Sequence, residues 1–157
     1  NYVIVPALIL HHASLLPSSV SFSIAAAICL ASAYQFCQAD AKTSDHYFLG
    51  FPSYWNVTAL YLLALELPQN ANLAIIAALL VLVFIPIKYI YVTRTVPFRK
   101  LTLTLTMTWA VLMLVVLWEL SDPNRTVLYA SLLYIAYYAA ASVYLTLKNL
   151  NGSEPSH

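Results

Sequence analysis

The chain has 157 residues, 62% of them hydrophobic and 8% charged, with a formal net charge of +1. A soluble domain is about half apolar and about a quarter charged, and its interior is too small to hide this much apolar surface. The composition excludes that class and predicts an all-α, polytopic integral membrane helical bundle. Seven lysines and arginines without a basic run also exclude a nucleic-acid surface.

The first segment runs from Asn1 to about Leu16 and covers roughly 24 Å, short of the roughly 30 Å hydrocarbon core. It enters an apolar run at once, with no charged leader or cleavage site. It therefore reads as a helix cut inside the membrane or at its edge, not as a secretory signal. Pro6 is tolerated within a membrane helix. His11 and His12 are adjacent, point apart on a helix and make a poor chelate. Pro17-Ser18-Ser19 forms a turn with a serine available as N-cap. The second segment, about Ser18 to Cys37, carries small residues such as Ala27 and Ala31 that let helices approach closely. Cys29 and Cys37 are too far apart on one helix for a disulfide and read as packed thiols.

Polarity then rises through Gln38, Asp40, Lys42 and Asp45, an aqueous loop. Asp45 to Asn56 follows, the one long stretch that is neither a plain apolar run nor a short turn. It holds Gly50, one of two glycines in the chain. Pro52 suits the first turn of a helix, and a short third segment runs from about Ser53 to Leu67. After Pro68-Gln69-Asn70, the fourth spans about Asn72 to Tyr91. A loop with Arg94, Pro97, Arg99 and Lys100 leads to the fifth, Leu101 to Leu120. Its start alternates Leu and Thr like a strand, but the pattern dissolves into a continuous apolar run, and a lone strand cannot satisfy its backbone in lipid. A helix is predicted there. Ser121 to Arg125 turns the chain, Thr126 reads as a helix cap, and the sixth segment ends near Leu147. The expectation is one transmembrane domain over 1–147, about six segments with the first truncated, and a polar cytoplasmic tail over 148–157.

Placing the first end of segment one in the cytoplasm puts Lys42, Lys88, Arg94, Arg99, Lys100 and Lys148 inside and only Arg125 outside, as positive residues prefer. The Asp45–Asn56 stretch and the Arg94 loop then share the cytoplasmic face. Arg99 and Lys100 are assigned to topology and to anionic lipid heads. Most of the tyrosines near this face fit an aromatic belt. Glu66 and Glu119 fall at the outer water boundary. The three Asn-x-Ser/Thr sequons, at Asn56, Asn124 and Asn151, are discounted because Asn56 is placed on the cytoplasmic side.

Two readings of Asp45–Asn56 stay open on its residues. One is an interfacial re-entry helix anchored by rings. The other is a head-group-level binding site, in which Tyr47, Phe48, Phe51, Tyr54 and Trp55 offer faces to a quaternary ammonium. Asp45 would complement its charge, and Asn56 would bond a hydroxyl or phosphate. His46 beside Asp45 is a pair without a third member.

Asp-His-Tyr-Phe-Leu-Gly-Phe-Pro-Ser-Tyr-Trp-Asn at 45–56, followed by Ala59-Leu60-Tyr61-Leu62, resembles the corresponding stretch of bacterial phosphatidylcholine synthases, which belong to the CDP-alcohol phosphatidyltransferases. Phe84 to Thr95 resembles their segment with a Pro-Thr-Arg or Pro-Ser-Arg ending, with Val92 where proline is usual. Tyr2 to Ala7 resembles the run after the last aspartate of the catalytic motif. The resemblance extends from Asn1 to about Trp118. It implies transfer of a phosphatidyl group from CDP-diacylglycerol to choline, giving phosphatidylcholine and CMP. It also implies Mn2+ or Mg2+ held by aspartates, a homodimer, and the bacterial inner membrane with its lipids as surroundings.

The family motif, Asp-x2-Asp-Gly-x2-Ala-Arg-x8-Gly-x3-Asp-x3-Asp, has no counterpart in this sequence, which contains no Asp-Gly pair. By the resemblance its last aspartate would fall about three residues before Asn1. The expectation is a C-terminal portion, inactive alone, with no catalytic or metal-ligating residue of its own. The resemblance leaves it a substrate-binding set: Asp45, Tyr47, Phe51, Tyr54, Trp55 and Asn56, with Lys88 and Arg94 for phosphate. Two other functions compete: a related transferase using serine, inositol or glycerol phosphate, and a non-enzymatic channel or transporter subunit. The latter would favour charges inside the bundle, and none is evident at mid-membrane.

Overall fold

A computed structural model describes residues 1–38, 47–92 and 98–151, with side chains through 148. Six helices occur in these residues: α1 (Ile4–His12), α2 (Ser18–Cys37), α3 (Trp55–Leu65), α4 (Gln69–Phe84), α5 (Arg99–Trp118) and α6 (Arg125–Asn151). Two strands, β1 (Tyr47–Leu49) and β2 (Lys88–Ile90), pair antiparallel with Tyr47 opposite Ile90 and Leu49 opposite Lys88. Three helices, over Ser18–Cys37, Arg99–Trp118 and Arg125–Lys148, are long and apolar enough to cross a membrane; α3 and α4 are shorter apolar helices. The protein is a polytopic helical membrane bundle. Large apolar side chains on its outer surface, such as Met107, Val111 and Leu114 on α5, are exposed because lipid is their solvent.

Helix α3 organises the packing. Trp55, Ala59 and Leu62, at i, i+4 and i+7, join a core with Leu10, Ile28 and Ile76 of α1, α2 and α4. On the opposite face, Tyr61 and Ala64 join Met113, Val116 and Leu128 of α5 and α6. A helix apolar on two faces is buried on two faces. A third cluster sets Tyr47 and Ile90 of the sheet on Leu145 of α6.

Several expectations change. The stretch from 101 to 108 is helical, as expected, and α2 has the expected bounds. The fourth segment ends at Phe84, and Lys88–Ile90 leaves it to become a strand. The helix after Pro52 begins only at Trp55, because Ser53 adopts a left-handed φ of 53° first. No serine side chain caps α2; the Pro17 carbonyl receives the N–H groups of Val20 and Ser21. At α6 the cap is Asn124, not Thr126: its Oδ1 accepts the N–H groups of Thr126 and Val127, satisfying donors with no partner inside the helix. Cys29 is half-buried, but Cys37 is exposed rather than packed. At the end opposite the sheet, Arg125 pairs with Glu66 at 2.6 Å and donates to the Ala64 carbonyl at 3.1 Å.

Candidate functional site

A two-stranded sheet leaves its outer backbone groups unpaired, which is costly beside lipid. Helix α6 supplies the partners for β2. Its Tyr138, Ser142 and Thr146 recur every four residues, about 6 Å of helix rise, close to the roughly 6.8 Å of two strand residues. Tyr138 donates to the Ile90 carbonyl at 3.0 Å. Ser142 Oγ accepts the Ile90 N–H at 3.3 Å, and Thr146 Oγ1 accepts the Lys88 N–H at 2.9 Å. Three hydroxyls thus hold the strand at one register on the helix.

The chain then turns at Gly50 and re-enters the bundle. Gly50 has φ 76°, and a side chain there would collide with the Val83 carbonyl. Gln35 of α2, nearly buried, donates to the Phe51 carbonyl at 2.5 Å and accepts the Ser53 hydroxyl at 2.6 Å. The Phe51 N–H reaches the Leu82 carbonyl at 2.9 Å. These bonds fix Gly50–Ser53 and so aim Tyr54.

The predicted site residues divide. Trp55 is fully buried, donates its indole N–H to Ser32 at 2.8 Å, and meets the Phe51 ring edge-on at 5.3 Å. Tyr47 is buried under Lys88, whose Nζ lies 5.4 Å from its ring centre. Phe48 lies against Tyr91, with ring centres 4.7 Å apart. Asp45, His46 and Arg94 lie outside the described residues. Tyr54 and Asn56 are exposed and part from the others to line a cavity of about 320 Å³.

Across that cavity stand Thr106 and Trp109 of α5 and Tyr134 and Tyr138 of α6, with Tyr2 also contributing. Trp109 and Tyr134 stack with centres 5.3 Å apart. Tyr134 lies 6.3 Å and Tyr54 6.4 Å from Tyr138. The remaining described lining, Val57, Val92 and Ile135, is aliphatic, and none of the described lining residues carries a formal charge. Burial pushes the phenol of Tyr89, packed against Phe51 and Tyr138, above its ordinary pKa, so it is neutral at physiological pH. This is a set of π faces without an anion or cation among them.

Of this cavity, sequence reasoning named Tyr54 and Asn56 as site residues and passed over Thr106, Trp109, Tyr134 and Tyr138. A signal was present: Thr102, Thr106 and Trp109 fall at i, i+4 and i+7 of one helix, and Tyr134 and Tyr138 at i and i+4 of another. That spacing marks one face on each helix, but nothing in it says that the two faces meet around a void. Among the described residues, no three His, Cys, Asp or Glu side chains stand close enough to hold a metal ion. These residues therefore do not fit the divalent metal that the resemblance implies.

Comparison with known proteins adds the family. A phosphatidylcholine synthase of Borreliella burgdorferi is 36% identical over 156 residues, 96% of this chain and 65% of the relative. One of Legionella bozemanae is 37% identical over 153 residues, 93% of this chain and 70% of the relative. One of Legionella pneumophila is 46% identical over 95 residues, 60% of this chain and 37% of the relative. The chain therefore spans less than two thirds of the Borreliella relative's length. No family model and no solved structure matches. With identity of 37% across 93% of its length to a relative of which it covers 70%, the chain belongs to the phosphatidylcholine synthase family.

Proposed function

We propose that the chain serves phospholipid biosynthesis as the choline-facing part of a phosphatidyl transfer. Choline's hydroxyl oxygen attacks the phosphatidyl phosphorus of CDP-diacylglycerol. The new P–O bond forms as the bond to CMP breaks, CMP leaves, and the hydroxyl proton passes to a general base. The observation that carries this reading is the cavity lined by Tyr54, Trp109, Tyr134 and Tyr138, with no formal charge among its described lining residues. A quaternary ammonium has no N–H to donate and binds through ring faces, an attraction that strengthens on desolvation. The exposed amide of Asn56 at the cavity wall suits the alcohol end. Among the described residues no cationic side chain lines the cavity to receive a carboxylate or phosphate, which favours choline over serine or glycerol phosphate.

Lys88, beside the Tyr47 ring, and Arg94 are assigned to the diphosphate, and Asp45 to the ammonium. The acyl chains stay in the bilayer, while choline arrives from the cytoplasmic side of the bacterial inner membrane. The excess of basic residues toward that side supports this orientation. Mn2+ or Mg2+ is assigned to carboxylates other than those among the described residues, and the working unit to a homodimer.

The test uses the chain in lipid nanodiscs. Calorimetric titration is expected to show saturable choline binding, with ethanolamine weaker by about tenfold. With CDP-diacylglycerol, choline and Mn2+, the chain by itself is expected to form no phosphatidylcholine. Absence of choline binding, or serine binding of equal strength, overturns the acceptor assignment. Product formation overturns the assignment of the chemistry to residues outside this sequence.

A further inference from the structure

The rings of the cavity are held by hydroxyls behind them. The Trp109 indole N–H donates to the Tyr61 hydroxyl at 3.0 Å, Tyr61 donates to Ser131 Oγ at 2.9 Å, and Ser131 donates to the Leu128 carbonyl at 2.6 Å. Each donor in this run has one acceptor, so the run has one direction and ends on backbone. Tyr61 and Ser131 are buried and neither lines the cavity. A second run stands beside it. Thr106 donates to the Thr102 carbonyl at 2.7 Å, which leaves its oxygen to accept the Tyr134 hydroxyl, also at 2.7 Å. Trp109 and Tyr134, stacked 29° from parallel, are therefore each tied at the polar atom. Their rings cannot turn without breaking a part-buried hydrogen bond, and breaking one leaves a polar group without its partner.

Cation–π attraction depends on the cation meeting the ring face and not its edge. We propose that Trp109 and Tyr134 are the specificity-determining faces for a quaternary ammonium, and that Tyr61 is the positioning residue that sets the Trp109 plane through Ser131. This rests on the reading of the cavity as the choline site. It adds that the orientation of the ring faces, and with it the site's selectivity, is set by the α3–α5–α6 hydroxyl run.

The experiment titrates the chain in nanodiscs with tetramethylammonium chloride and follows helix melting in the same samples. Tyr61→Phe removes one oxygen and keeps the ring; it is expected to weaken tetramethylammonium binding by about threefold. Thr106→Val is expected to do the same through Tyr134. Glu66→Gln is the control: it breaks the ion pair at the far end of α3 and should lower melting without moving affinity. If Tyr61→Phe does not fold, Thr106→Val decides. Unchanged affinity in the folded seam variants, or an equal loss in Glu66→Gln, overturns the positioning role and leaves the choline reading standing. No binding by the unaltered chain overturns both.

Discussion

Among the described residues, two concave regions of similar size and mostly apolar lining differ in how their walls are held. One is the groove between α2 and α4, about 390 Å³, formed by Ala27, Leu30 and Ala31 against Leu80, Val81 and Phe84, with Tyr34 at one end. The other is the cavity of about 320 Å³ between α3, α5 and α6. Leu30, Val81 and Phe84 stand well exposed to lipid, and their side chains carry no polar atom to fix them. In the cavity, Trp109 and Tyr134 are each pinned by a hydrogen bond. Volume alone does not make a recognition site in a membrane protein, because lipid fills any apolar groove. Ring faces held at fixed angles offer something that lipid does not.

The largest break is expected from Gly50→Ala. It places a Cβ against the Val83 carbonyl and forces a left-handed φ on alanine, at a cost on the order of 3 kcal/mol. The turn that aims Tyr54 should fail before the α2–α4 groove does. Loss of choline binding in protein that keeps most of its helical circular dichroism checks this.

Gln35→Leu comes next. It strands the Phe51 carbonyl and the Ser53 hydroxyl, both now bonded to the amide, and should cost about 2 kcal/mol in a denaturant titration. Trp109→Leu compared with Phe84→Leu tests the comparison itself. The first should weaken tetramethylammonium binding by about tenfold; the second should leave it unchanged. Equal effects would erase the distinction between cavity and groove.

The smallest effect concerns pH. Burial raises the Tyr89 phenol above its ordinary value of 10.0, so the folded state holds its proton more tightly than the unfolded state does. Its contribution to stability is complete below pH 10 and is lost as pH rises through the folded value. Melting temperature and choline affinity should both be flat from about pH 7 to 9. Melting should then fall above pH 10.

Composition and hydropathy by themselves determined that lipid is the solvent, that the backbone is helical, and where α2 and α5 lie, because a buried peptide group in lipid must pair within its own segment. The stretch from 45 to 56 also stood out locally, since Gly50, Pro52 and the rings interrupt an otherwise uniform run. Only the tertiary structure decided which of its rings face outward. Trp55, the most prominent aromatic of that stretch, turns into the core because Ser32 offers its N–H an acceptor, while Tyr54 turns to the cavity. It also decided that Lys88–Ile90 is a strand: the hydroxyls that make this possible, on Tyr138, Ser142 and Thr146, lie about 50 residues away in the chain. Trp109 and Tyr134 became walls of a site through hydrogen bonds to Tyr61 and Thr106. Such bonds depend on distance and angle between helices, and periodicity within one helix carries no information about either.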